Sequence, residues 1–263
     1  MINVSLAAEP VFYIGSLAIS NSLLSAFIIT LFIAAGSILA HKRLALIPGR
    51  LQVLLEIITE FVLEQLRTAF GSEKKARAFF PVIMTVLLFI VIANQFSMVP
   101  LLYQITYGGK AVLRTATSDL TLTLAMAALM IISAQVLAFA ASPLTHIGKY
   151  IKIGPLLKAR TPAAFGNAFL DLFLGILDII GEISKILSMS FRLFGNVFAG
   201  EVLVAVITGL SIYTTFFIPI PFMIISIFSG FVQAFVFMLL SIQFIAGTIG
   251  TQAAQEQTAP QTV

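Results

Sequence analysis

Long apolar runs alternate along the chain with short polar segments, and run length decides what each can be. A helix needs ~20 mostly apolar residues to cross a ~30 Å hydrocarbon layer. Residues 21–40 supply one such run, 79–102 a second with Asn94 and Gln95 inside it, and 120–141 a third with Gln135 inside it. Two longer runs follow, 166–209 and 214–250, the last punctuated near its start by Pro219-Ile220-Pro221. Residues 51–70 behave differently. Glu56, Glu60 and Glu64 recur every fourth residue, while Leu54, Leu55, Ile58, Val62 and Leu66 fill another face. That spacing predicts an amphipathic helix lying on the membrane surface. An acidic wall near an ion entrance is the alternative use of the same face. Residues 1–20 read as an external N-terminal segment, and 251–263, rich in Gln, Ala, Thr and Pro, as a disordered tail. The predicted fold class is an all-α integral membrane protein. It forms one membrane domain of about five crossing helices plus the interfacial helix, the last two helices long and steeply tilted as a hairpin.

Composition agrees with lipid as the solvent. Of 263 residues, 59% are hydrophobic and 10% charged, with a mean hydropathy of +1.07, whereas a soluble domain carries about 25% charged residues. The absence of cysteine excludes disulfides and thiolate metal sites. His41 and His146 both fall in predicted loops, so a His-rich metal site has nothing to build on, and no metal or cofactor is expected. The net charge of +4 sits mostly in loops and calls for no nucleic-acid partner. No Lys or Arg precedes Lys42, so the N-terminus lacks the basic region of a cleaved signal peptide.

The loops also orient the chain. Lys42, Arg43, Arg50, Arg67, Lys74, Lys75 and Arg77 fall between the first two runs, and Lys149, Lys152, Lys158 and Arg160 between the third and fourth. Only Lys110 and Arg114 fall on the other side. The positive-inside rule then predicts the N-terminus outside and the C-terminus inside.

The two last runs are too long to cross upright. As single helices, residues 166–209 would measure ~66 Å and residues 214–250 ~55 Å at ~1.5 Å per residue. Ordinary tilts average ~20°, so steep inclination or kinks at Gly181, Gly195 or Gly200 are expected. The first of these runs also holds Asp171, Asp178, Glu182, Lys185, Arg192 and Glu201. Each charge at mid-membrane costs ~2.5–3.5 kcal/mol on insertion scales. Glu182 and Lys185 stand three apart with opposite signs and can pair.

Arg192 has no acid three or four residues away, and an arginine stays protonated. Ser188, Arg192, Gly195, Asn196 and Ala199 form one helical stripe, mostly of small residues that let a second helix approach closely in lipid. Glu201 lies nine residues on, ~13.5 Å along the axis and roughly 180° around it. It therefore faces away from the stripe, where a carboxylate could relay protons or be satisfied by neighbouring helices. On the last run, Gln233 shares a face with Ser226, seven residues earlier, with Gly230 between them.

The segment Ser188 to Leu203, SMSFRLFGNVFAGEVL, resembles the signature of the a-subunit family of F-type ATP synthases. The similarity extends to QAFVFMLLS from Gln233, to Ala8-Glu9-Pro10 and to TSDLTLTL from Thr117. The resemblance implies two tilted helices beside a rotating ring of c subunits, a b-subunit peripheral stalk as second partner, and a multi-pass place in the bacterial plasma membrane, or alternatively the mitochondrial inner membrane. It implies that Arg192 faces the ring carboxylate, that Asn196 and Gln233 are its polar neighbours, and that Glu201 belongs to one of two offset proton half-channels. Many bacterial members carry a histidine seven residues before the glutamine, where this chain has Ser226. A titratable relay group is missing there, and either water or Glu201 alone does that step or Glu182 compensates. A secondary transporter or a structural subunit of a membrane complex are the rival readings. The first would need broken helices and repeats, and the second would have no use for an unpaired arginine.

Overall fold

The computed structural model describes residues 10–14, 17–96, 106–107, 110–141, 143, 162–210 and 218–258. The chain opens on a feature the hydropathy pattern does not predict. Pro10–Ile14 (β1) pairs antiparallel with Leu17–Ser20 (β2), with a bulge between Pro10 and Phe12. A second small hairpin joins Thr106–Tyr107 (β3) to Lys110–Ala111 (β4). Both are too short to register as alternation against an apolar background.

Helix α1 (Asn21–Lys42) begins where Ser20 Oγ accepts from the Leu23 N–H at 3.3 Å, satisfying one of the orphan donors of the first turn. It is apolar on every side, and only its first turns (Asn21, Ser22, Ser25, Ala26, Ile29) are buried in the protein. Helix α2 (Arg50–Phe70) is amphipathic as predicted and ends at Gly71, whose φ of 60° puts it in the left-handed region that suits glycine. Its acidic face is not bare. Arg67 reaches Glu60 at 2.7 Å, Glu64 at 3.6 Å and Glu73 at 2.6 Å, and Glu73 also holds Arg77 at 2.6 Å. Glu56 accepts from Gln52 at 2.9 Å.

Helix α3 spans Glu73–Phe96, starting six residues before the apolar run that predicts it. Glu73, an acid in the first turn that also pairs with Arg77, extends the helix through polar residues that hydropathy alone rejects. The end of the predicted span, residues 97–102, lies outside the described residues. A 3-10 turn at Ala116–Ser118 leads into α4 (Leu120–Ala141), where the Asp119 side chain accepts from the Thr121 N–H at 2.9 Å. Helix α5 (Pro162–Leu210) has 49 residues and runs unbroken through Gly181, Gly195 and Gly200; α6 (Pro219–Thr258) has 40. At ~74 Å and ~60 Å, neither fits upright in a ~30 Å layer. Helix α6 continues to Thr258, past the start of the predicted disordered tail. Residues 252–257 hold only Gln, Ala and Glu, all good helix formers, and Pro260 stands beyond the helix end.

Helix α5 packs on α4 and α6, α6 also on α3 and α4, and α2 on α3 and α6, so five helices share one core. Leu66, Ile83, Leu87, Met130, Leu193 and Phe237 lie near its centre. Among the described residues, helix α1 joins through a small cluster of Ala26 and Ile29 with Ala93 and Ala116, and through Ser25, whose hydroxyl accepts from the Arg114 N–H at 3.2 Å. Four helices, α1, α3, α4 and α6, are long and apolar enough to cross a membrane. Helix α5, the remaining expected crossing, is not among these four and carries all six charged residues along its length.

Candidate functional site around Arg192

The second half of α5 is anchored by a buried face. Met189, Ser190, Leu193, Val197 and Gly200 turn inward, and the Ser190 hydroxyl meets Thr123 Oγ1 of α4 at 3.2 Å. With that face fixed, the adjoining stripe is fixed as well. Ser188, Arg192 and Ala199 are exposed, and Gly195 and Asn196 lie half-buried where the stripe meets the core. Nothing lies within 4 Å of where a Cβ on Gly195 would stand. The five sequence-predicted stripe residues therefore share one open face of the protein. Arg192 has no ion pair or hydrogen bond with a described residue and stands as a full charge on a largely apolar surface beside exposed Phe191.

Helix α6 closes the site. Ser226, Ser229, Gly230 and Gln233 follow i, i+3, i+4, i+7 and so share a face. Ser229 donates to Asn196 Oδ1 at 2.6 Å, tying α6 to the helix that carries Arg192. Gln233 is buried, at 8% exposure, and no described residue hydrogen-bonds its amide. Ser226 is half-buried one turn before Ser229.

Two side chains join that the sequence pattern left as mere polar interruptions of a span. The Asn94 amide of α3 donates to the Gly230 carbonyl at 3.0 Å, and the Gln95 amide to the Ile227 carbonyl at 3.1 Å. Gly230 permits that approach, because a Cβ there would stand 3.2 Å from Asn94 Cβ and 3.3 Å from Gln95 Nε2. The signal available in the sequence was two adjacent amides inside an apolar run, which lipid alone would not tolerate.

The remaining candidates separate. Glu201 is half-buried and interacts with the rest of the chain, around the helix from the Arg192 stripe. Glu182 pairs with Lys185 at 2.8 Å, as their spacing predicts, and the ammonium lies 5.3 Å from the centre of the Phe244 ring. The two opposite charges thus offset each other within the protein. Among the described residues no cluster of His, Asp or Glu could hold a metal.

Lipid-length helices around a shared core, one of them carrying a cation on an open face of mostly small residues, define an all-α membrane protein. The family model of the ATP synthase A chain matches residues 21–246. The chain belongs to that family. It is 32% identical to an ATP synthase subunit a from Moorella thermoacetica over 91% of its own length and 95% of the relative's. It is 30% identical to an ATP synthase subunit a 2 from Pelobacter propionicus over 94% of each chain, and 29% identical to a subunit a from Geotalea daltonii over 81% and 80%. Family membership places it in a membrane ATP synthase complex, and these relatives are bacterial.

Proposed function

We propose that the chain is the stator a subunit of a bacterial F-type ATP synthase. In this reading it lies in the plasma membrane with its N-terminus outside, and carries protons through two offset half-channels to and from a ring of c subunits. The observation that supports this most is the Arg192 stripe: a cation with no ion pair among the described residues, on an open face of small residues that a ring helix could approach.

Protons arriving from outside pass the half-buried Glu201 and reach a carboxylate on a ring helix. Once neutral, the carboxyl can turn into lipid, and it releases its proton to the second path after nearly a full rotation. Arg192 attracts the ionised carboxylate and, because it cannot give up its own proton, blocks a direct leak between the paths. Gln233 and Asn196 border the passage as neutral groups that can hydrogen-bond water. Each charge moving through 100 mV contributes about 2.3 kcal/mol, so several must pass per ATP. Ser226 offers a hydroxyl where relatives offer a titratable ring, which leaves the acid–base work on this side to Glu201. The peripheral stalk would dock on surfaces away from the stripe.

The test is ATP-driven proton pumping in inverted vesicles carrying Arg192→Ala, with assembly of the complex checked separately. Pumping is expected to vanish in assembled complexes. Pumping at the wild-type rate would make the arginine structural and defeat the mechanism.

A further inference from the structure

A second surface, far in sequence from Arg192, is built for contact with something outside the chain. Helix α1 ends at Lys42, with Arg43 closing its last turn, so the segment that follows leaves the apolar layer at its edge. Residues 44–51 then expose large apolar side chains instead of hiding them. Leu46 and Ile47 stand clear of the rest of the protein, at 104% and 89% exposure, with Leu44 and Leu51 nearly as free.

The loop is held and not merely loose. Ala45 donates its N–H to Gln52 Oε1 at 3.2 Å, and Gln52 Nε2 donates back to the Ala45 carbonyl at 3.1 Å. One side chain thus satisfies both backbone polar groups at the centre of the loop, which lowers the cost of carrying it into an apolar environment.

The apolar surface continues onto α2. Leu51, Leu54 and Leu55 are exposed along the stripe that becomes buried further on at Val62 and Leu66. The second half of that stripe is covered by the protein, while the first half has no cover from any described residue. Charge selects the occupant. Lys42, Arg43 and Arg50 are all exposed, and none pairs with a carboxylate among the described residues. The nearest acid along the chain, Glu56, is held by Gln52.

We propose that residues 42–55 are an interfacial anchor for anionic phospholipid, with Leu46 and Ile47 among the acyl chains and Lys42, Arg43 and Arg50 gathering acidic headgroups. Apolar side chains flanked by cations at a helix exit match an anionic lipid surface on both counts, since basic residues near such a surface are attracted individually. Neither the apolar loop nor the three cations takes part in the Arg192 site, so this inference stands apart from the proton-path reading.

The chain contains no tryptophan, so Leu46→Trp makes a single fluorescent reporter in the full-length protein, with Ile47→Trp as a second position should the first disturb folding. Reconstituted in mixed phosphatidylglycerol and phosphatidylcholine vesicles, the reporter is expected to emit to the blue and to be quenched by lipids brominated on the acyl chain. Brominated phosphatidylglycerol should quench several-fold more than an equal tracer of brominated phosphatidylcholine. Lys42→Gln/Arg43→Gln/Arg50→Gln should reduce that ratio to about one. Emission typical of water with no quenching by either lipid would overturn the anchor. Equal quenching by both lipids would overturn its anionic selectivity. Quenching that disappears in the assembled ATP synthase would show that a protein subunit covers the loop, and the proposal would fall.

Discussion

At Gly230, α3 approaches α6 closely, and replacing the glycine with alanine is a sharp test of the packing. The added Cβ would stand 3.2 Å from Asn94 Cβ and 3.3 Å from Gln95 Nε2, so α3 must withdraw by a few tenths of an ångström. Such overpacking costs roughly 1–3 kcal/mol. Withdrawal also lengthens the Asn94–Gly230 and Gln95–Ile227 bonds, now 3.0 and 3.1 Å, and interhelical hydrogen bonds in membrane proteins average ~0.6 kcal/mol each. Alanine's better helix propensity returns roughly 1 kcal/mol. The expected net loss is therefore about 1–3 kcal/mol. Reversible unfolding of the isolated chain in mixed micelles of mild detergent and dodecyl sulfate, followed by circular dichroism, measures it. Gly195→Ala and Gly247→Ala are the controls, because nothing lies within 4 Å of either position. Both should stabilise the isolated chain by that same roughly 1 kcal/mol of helix propensity, while Gly195→Ala should lower pumping in the complete complex by narrowing the open face. If Gly230→Ala unfolds at the same detergent fraction as the two controls, the close approach of α3 to α6 is wrong.

Two further outcomes are expected. A double-mutant cycle of Thr123→Val with Ser190→Ala should give a coupling of about 0.6 kcal/mol in the same unfolding assay, because the two hydroxyls meet at 3.2 Å; a coupling of zero would remove this anchor of α5. Ser226→His should add a titration near pH 6.5 to the pH profile of proton pumping, and an unchanged profile would mean that position 226 lies off the path.

Much of this architecture is legible because lipid imposes a simple rule, that a crossing helix must be apolar for about 20 residues. The 120–141 helix needs nothing more, and its bounds are those of the apolar run. Where polar residues extend a helix by pairing with each other, as Glu73 does with Arg77, hydropathy starts it too late. The Arg192 stripe is legible from local spacing, because an α-helix fixes which residues share a face. What α6 does with Asn94 and Gln95 is not, since an amide in an apolar run announces that it needs a partner without saying which helix supplies the carbonyl. The same holds for Ser190, whose partner Thr123 lies 67 residues away. Glu182 shows the opposite case, a charge whose partner three residues on could be read directly.

The open position of Arg192 bears on how the complex is put together. On the proposed reading, a chain inserted before its partners exposes a permanent charge to lipid, at a cost of ~2.5–3.5 kcal/mol on insertion scales, and an opposing carboxylate offsets that cost. The same guanidinium that suits a finished motor therefore marks an unfinished one as incomplete, a cue that membrane proteases can read. Pulse-chase labelling in cells lacking c subunits should show the chain turning over faster than in assembled complexes, and Arg192→Leu should lengthen its life there. If the proposed pairing holds, the arginine is in this sense also a timing device, and the order of assembly is set in part by a single side chain.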